Sequence, residues 1–230
     1  MKNLREIYAD VRAERGQRST DKHRGYRQHL SLYEIILEPY RESAQKVFEI
    51  GVNRGGSILA WRDFFQNATI YGFDIRNAAL ETIRKQPRIV AMKVDQGDFD
   101  DLAKIAACGP FDVGIEDGSH IWAHQIRTFE QLWPAIAPGG LYIIEDTVTS
   151  YHNWIHTEGK TRESDYERGG VSCVEYFKNL VDHINFDGNN WDAMPFEQYT
   201  EFQRTIDWIS FRTNSIFIRK RVTDGDPWGQ

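Results

Sequence analysis

Two short acidic motifs stand one strand-helix-strand unit apart in this sequence. Asp117-Gly118-Ser119-His120 follows the strand-like run Phe111–Glu116, and Glu145-Asp146 follows the run Gly140–Ile144. Between them lie a helix-length segment, residues 123–136, and the turn signal Pro138-Gly139-Gly140. A parallel strand pair needs a crossover of about this length, usually helical. Both motifs then fall at the carboxyl ends of neighbouring strands, the edge where open α/β sheets bind ligands. Three carboxylates converging with one imidazole predict a hard cation with a base beside it. Mg2+ prefers oxygen ligands and keeps several waters, so Asp117, Glu145 and Asp146 are the expected metal ligands. Two adjacent substrate hydroxyls would fill the open positions, with the hydroxyl pKa lowered. His120, expected in the first turn of the next helix, is the candidate general base, a role worth about 10²–10⁴ in rate. One geometric condition follows. Glu145 and Asp146 are consecutive, so in a regular strand they point to opposite faces. They share an ion only if the chain bends there. Each residue also has a plainer reading: Asp117 as a turn residue, His120 as a helix-start residue, and His124 as structural or surface.

A glycine-rich segment, Glu49-Ile50-Gly51-Val52-Asn53-Arg54-Gly55-Gly56-Ser57, separates the first expected strand from its helix. Glycines permit close backbone approach, and a helix amino terminus favours negative charge. The segment is not G-x-G-x-x-G, because Asn53 replaces the second glycine, and it lacks the Gly-Lys-Ser/Thr of a phosphate-binding loop. Asp74 ends the second expected strand, where an acid can bond both ribose hydroxyls; a helix cap is its other reading. Asp95-Gln96-Gly97-Asp98 follows the third, where side chains can frame a base. A ribose-and-base site without a phosphate cradle suits S-adenosylmethionine better than NAD. Glu49, Gly51, Asn53, Gly55, Ser57, Asp74, Asp95, Gln96 and Asp117 are the expected cofactor-binding residues, with Glu49 acting indirectly on the amino-acid end. A methyl group would pass in line from sulfur to oxygen, with alignment contributing heavily.

The elements that must position these residues alternate from Lys46 onward. Strands are expected at Lys46–Ile50, Thr69–Asp74, Arg88–Val94, Phe111–Glu116 and Leu141–Glu145. Helices are expected at Ser57–Phe65 (with Ser57 as cap), Ala78–Lys85, Asp98–Ala107 and 171–184. Repeated β-α units imply a mainly parallel sheet with helices on both faces. The strand-like runs Thr205–Arg212 and Ser215–Val222, joined by Thr213-Asn214, predict an antiparallel hairpin at one edge. Residues 1–45 form an expected amino-terminal helical cap, with helices near 3–15 and 29–40, before a catalytic domain at 46–230. The polar stretch 147–170 is long enough to be a lid or binding loop.

The bulk composition narrows the partners. Net charge is −6 and the 28 basic residues form no long run, which argues against nucleic acid; Arg219-Lys220-Arg221 reads as a solvated strand end. Two cysteines, Cys108 and Cys173, give neither a disulfide framework nor a zinc spacing, and suit a reduced cytoplasm. The amino terminus lacks the apolar run of a signal peptide, and no stretch approaches the roughly 20 apolar residues of a membrane span. No membrane partner is expected.

These motifs resemble the metal-dependent sugar O-methyltransferases of macrolide and related antibiotic biosynthesis, especially the mycinamicin-type 2-O-methyltransferases. The likeness covers most of the chain. It runs through Thr20-Asp21-Lys22 with Tyr26, Glu49-Ile50-Gly51 with Gly55-Gly56-Ser57, Asp95-Gln96 with Asp98, Asp117-Gly118-Ser119-His120, His124-Gln125-Ile126, Pro138-Gly139-Gly140 with Glu145-Asp146, and Thr149-Ser150-Tyr151. The resemblance implies a Rossmann-like class I methyltransferase fold, α/β, with a seven-stranded sheet. It also implies S-adenosylmethionine and Mg2+ as cofactors, a glycosylated natural product as small-molecule acceptor, and a homo-oligomer. It assigns Mg2+ to Asp117, Glu145 and Asp146, the base to His120, and the cofactor to Gly51, Asp74 and the Asp95-Gln96 region. Two departures stand out. Family members often carry a large amino-terminal domain, whereas about 45 residues precede the sheet here, and the usual aromatic after Ser-Tyr is His152, with Trp154 two later. Cephalosporin-hydroxylase-type proteins share the acidic pattern, so it leaves the acceptor open. A catechol-like or other vicinal diol fits the same chelation, with Trp61, Tyr151, Trp154 and Trp191 as wall candidates or core residues. A non-catalytic cofactor- or metal-binding module of this fold is the third reading.

Overall fold

A computed structural model describes residues 1–16, 19, 20, 22, 29–151, 170–185 and 200–222. Seven strands form one sheet: β1 (Lys46–Ile50), β2 (Thr69–Asp74), β3 (Ile89–Lys93), β4 (Phe111–Glu116), β5 (Ile136–Glu145), β6 (Ile206–Arg212) and β7 (Ser215–Lys220). Their order is β3-β2-β1-β4-β5-β7-β6. The first five are parallel, and β7 lies antiparallel between β5 and β6. This is the expected mainly parallel sheet with its carboxy-terminal hairpin. The strand order reverses at the β1–β4 pair, which opens the ligand crevice of such sheets at their carboxyl ends. Ile50 stands opposite Glu116 in that pair, so the glycine-rich segment and the Asp-Gly-Ser-His motif leave the sheet side by side.

Helices α1 (Leu4–Arg15), α2 (His29–Leu37), α3 (Gly56–Phe64), α4 (Asn77–Glu81), α5 (Phe99–Ala106), α6 (Trp122–Leu132), α7 (Cys173–Asn185) and α8 (Glu201–Thr205) complete the described elements. The central strands are apolar on both faces because both are covered. On one side Val47, Val113, Leu141 and Phe217 pack with Leu4, Tyr8, Tyr33, Trp61 and Phe64. On the other Phe48, Phe111, Tyr142 and Ile144 pack with Leu102, Phe129, Trp133 and Phe177. Gly114 makes room for this layer: a Cβ there would lie 2.4 Å from the Phe48 ring.

Helix α1 begins with a capping box, Asn3 with Glu6, and buries Leu4, Ile7, Tyr8 and Val11. That spacing places them on one face. Tyr8 and Tyr33 meet Trp61 edge-on at 5.7 and 5.5 Å, and Tyr33 also meets Phe217 at 5.7 Å. The segment before the sheet, expected as a cap over residues 46–230, therefore shares one apolar core with it. Trp61 is wholly buried and belongs to that core rather than to a pocket wall, while Tyr151 is exposed. Trp154, Trp191, His152, Asp21 and Tyr26 lie outside the described residues, as does most of the 147–170 stretch.

Three local expectations change. The cap of α3 is Gly55, left-handed at φ +80°. Ser57 lies one residue inside α3, where its hydroxyl donates to Glu49 Oε2 at 2.6 Å instead of capping. Helix α4 closes at Glu81, short of Lys85, and the chain continues in turns. Pro138-Gly139-Gly140 is not a turn before β5 but an irregularity within it: Phe111 pairs with Ile136 and Val113 with Leu141, so β5 carries extra residues opposite β4.

Candidate functional site

The site gathers at the carboxyl ends of β1, β4 and β5. The Asp117 backbone N–H donates to the Ile50 carbonyl at 2.9 Å, and the Gly51 N–H to the Phe73 carbonyl at 2.8 Å. Gly51 has φ +99°, and a Cβ there would fall 2.0 Å from the Asp117 carbonyl oxygen. Only glycine meets both conditions. The glycine-rich segment and the acidic motif thus share a wall.

Two acid groups meet at Asp117. In one, Asp117, His120 and Asp146 bring a ligand atom each within 4.8 Å of one another. In the other, Glu49, Asp117 and Glu145 do the same. Asp146 is bent out of the strand at φ +54°, which supplies the bend its sequence position requires. The turn of the β6–β7 hairpin braces it, with Asn214 Nδ2 donating to Asp146 Oδ1 at 2.6 Å. His120 stands 3.5 Å from Asp146 through Nε2. His120 precedes helix α6 in a left-handed conformation at φ +56°, rather than occupying its first turn. The cause is local: Ser119 Oγ accepts from the Ile121 N–H at 3.3 Å and contacts His124 Nδ1 at 3.0 Å. The partly exposed carboxylates of Asp117 and Asp146 offer hard oxygen donors with room for water, which fits Mg2+.

Glu145 faces the second group. Its Oε1 accepts from Lys22 Nζ at 2.6 Å and from the Tyr33 hydroxyl at 2.5 Å. Lys22 Nζ also lies 2.8 Å from Asp117 Oδ2 and 3.3 Å from Glu49 Oε1. So of the three expected metal ligands, Asp117 and Asp146 stand together with His120, while Glu145 stands with Glu49 around an ammonium. Burial alone would push the Lys22 pKa down, but Asp117, Glu145 and Glu49 more than offset this and hold it well above the ordinary lysine value. Burial pushes Glu49 up, against the pull of Lys22 and the Ser57 hydroxyl. Burial and then Glu145 push Asp117 up, against Lys22; a fifth of the Asp117 side chain still reaches solvent, which tempers that push.

The remaining cofactor candidates divide between framework and surface. Asp74 Oδ2 accepts from the Asn53 N–H at 3.0 Å and Oδ1 from the Arg76 N–H at 2.8 Å, tying the glycine-rich segment to the end of β2. Asn53 is exposed and left-handed at φ +50°. Gln96 is buried: its amide donates to Glu116 Oε1 at 2.6 Å and accepts from the Ser119 N–H at 2.8 Å. It locks the Asp117 turn to the β3 end. Asp95 is exposed and accepts from the Gly97 N–H at 2.8 Å. Asp98 caps α5. Lys22, Tyr33 and Asn214 were not among the expected site residues. Lys22 falls inside the resembling Thr-Asp-Lys motif, Tyr33 in an apolar helical stripe, and Asn214 in a hairpin turn.

Comparison with known proteins agrees with this architecture. The family described as a methyltransferase domain matches residues 48–147. The chain is 34% identical to 8-demethyl-8-alpha-L-rhamnosyl tetracenomycin-C 2'-O-methyltransferase of Streptomyces olivaceus, over 87% of this chain and 52% of that protein. It is 37% identical to mycinamicin VI 2''-O-methyltransferase of Micromonospora griseorubida, over 84% of this chain and 48% of that protein. The solved structure of the MycE methyltransferase of the mycinamycin pathway, in complex with Mg and SAH, superposes with a TM-score of 0.77 at 29% identity. It covers 96% of this chain and 55% of that one. The chain spans about half the length of the curated relatives it matches.

Proposed function

We propose that this chain, which has a class I methyltransferase fold and is similar over most of its length to sugar O-methyltransferases of antibiotic biosynthesis, methylates a sugar hydroxyl of a glycosylated small molecule. The donor would be S-adenosylmethionine, which supplies an electrophilic methyl group and leaves as S-adenosylhomocysteine. Mg2+, when bound, would lower the pKa of the acceptor hydroxyl and orient its oxygen.

The chain's own residues have these roles in the proposal. Asp117 and Asp146 hold Mg2+, and Glu145, bonded to Lys22 and Tyr33, backs Asp117 from the adjoining group. His120 accepts the hydroxyl proton at Nε2, the atom that faces Asp146 at 3.5 Å. An acid beside an imidazole favours the charged imidazolium that proton transfer creates. Asp74 and the Gly51–Ser57 segment hold the donor, and Asp95 lies exposed at the β3 end where a base can be framed.

The observation that carries this reading is the contact between Gly51 and the Asp117 carbonyl. It puts the donor segment and the acid pair on a common wall, so a methyl donor and a chelated hydroxyl would be neighbours. Proximity of that kind contributes heavily to transfer rates. Intact-mass analysis of glycosylated polyketides incubated with the chain and S-adenosylmethionine should show the gain of one methyl group. EDTA should abolish the gain and Mg2+ restore it. Undiminished turnover in EDTA would remove the metal from the proposal.

A further inference from the structure

We propose that the Lys22 ammonium is a built-in counter-cation filling a latent divalent-ion site made by Glu49, Asp117 and Glu145, so that the chain takes one exchangeable metal ion fewer than its acids could hold. The count of one remaining ion rests on the Mg2+ reading above; the Lys22 site does not.

The geometry is that of a cation shell. Lys22 Nζ lies 2.6 Å from Glu145, 2.8 Å from Asp117 and 3.3 Å from Glu49, and the lysine side chain is 2% exposed. The three acids come from the carboxyl ends of three adjacent strands, and one oxygen of each lies within 4.8 Å of the others. An ammonium has three N–H donors and no acceptor, which suits three oxygens on one side. Glu49 Oε1 makes no hydrogen bond although it is fully buried, and it faces Lys22 at the longest of the three distances. Hard divalent cations take carboxylate oxygens at about 2.0–2.6 Å. An ion drawn to these oxygens would have to occupy the space that the ammonium fills. Buried carboxylates without a cation are strongly disfavoured. Removal of the lysine charge therefore leaves a vacancy that a divalent ion can fill.

Mn2+ titration of the full chain, with free Mn2+ followed by electron paramagnetic resonance, tests this. Lys22→Met should bind one more Mn2+ per chain than wild type, and Lys22→Arg the same number as wild type. Lys22→Met with Glu49→Gln should lose the extra ion. An unchanged count in folded Lys22→Met overturns the proposal. If Lys22→Met fails to fold in EDTA, Mn2+ should restore its circular dichroism and raise its melting midpoint more than that of wild type; unfolding that ignores Mn2+ overturns the proposal too. Wild type binding no ion, with Lys22→Met binding one, would sink the Mg2+ reading and leave the Lys22 site standing.

Discussion

The two groups that share Asp117 both rest on carboxylates, and they differ in the partner that faces those carboxylates and in access to water. In the inner group the Glu49 and Glu145 side chains are 0% and 4% exposed, and the chain supplies an ammonium from Lys22. In the outer group His120 and Asp146 are 28% and 17% exposed, and an amide of Asn214 and an imidazole face the acid. The contrast shows how burial decides what an acid is for. A dry carboxylate needs a permanent partner, because desolvation of its charge is large. A half-wet one can exchange partners with solvent, which is what a metal centre and a proton acceptor require.

The largest expected effect separates the groups by chemistry. Replacing His120 by Ala should lower kcat by about 10²–10⁴, the contribution of a positioned general base. Calorimetric affinity for S-adenosylmethionine should stay unchanged. Full turnover in that variant would move the base elsewhere and make the outer group a binding site only. The next effect separates them by stability. In EDTA, Lys22→Met should lose about 3–5 kcal/mol in urea unfolding, since it strands buried charges, while His120→Ala should change stability by less than about 1 kcal/mol. Equal losses would dissolve the distinction between a structural and a chemical group.

A third effect concerns the strand that carries Asp117. Burial pushes the Glu116 carboxyl up to about 7, opposed by hydrogen bonds from Gln96 and the Gly118 N–H. The unfolded chain ionises this group near the ordinary glutamate value of about 4.3. The folded state thus binds the extra proton between these values, and its stability falls as pH rises through that window. By about pH 8 the loss should approach roughly 4 kcal/mol at most. Glu116→Gln should flatten the profile between about pH 5 and 8 in metal-free buffer, read as urea midpoints. A profile of wild-type slope in that variant would assign the dependence to Asp117 and Glu49 instead.

The sheet and the outer acids were legible because their signals are local. Apolar runs ending in Asp74, Glu116 and Glu145 give strands of the right length, and the acids follow directly. Pro138-Gly139-Gly140 misled because turn chemistry and a bulge use the same residues. The acids of the inner group were named from the sequence, but the Lys22 and Tyr33 contacts that tie them together were not legible, because those contacts are remote in sequence. Lys22 meets Asp117 across 95 residues and Glu145 across 123. Tyr33 reads as part of an apolar stripe, and only the fold shows that its hydroxyl caps Glu145 across 112 residues. Trp61 carried two readings, pocket wall or core, and the fold decides for the core, where Tyr8 and Tyr33 enclose it. The bend at Asp146 was legible as a requirement, since Glu145 and Asp146 must otherwise diverge, but its cause lies in the hairpin turn.

That cause gives the smallest predicted effect and the sharpest probe of the outer group. Asn214 holds Asp146 through its amide N–H at 2.6 Å, and its Oδ1 accepts from the Val148 N–H at 2.7 Å. Its own φ is +61°, a conformation that Gly also adopts easily. Residues that orient a metal ligand typically contribute about 10–100-fold in metal affinity. Asn214→Gly keeps the turn and deletes both side-chain bonds, so it should weaken Mn2+ binding by about that factor. Asn214→Ala should weaken it equally and lose a further ~1 kcal/mol of stability from the left-handed backbone. Neither change should alter the extra Mn2+ site that Lys22→Met opens, because Asn214 bonds Asp146, which is not one of the three acids of that site. If Asn214→Gly keeps wild-type affinity, the backbone alone holds the bend at Asp146. The two groups would then differ only in water access, and the hairpin would have no part in the chemistry.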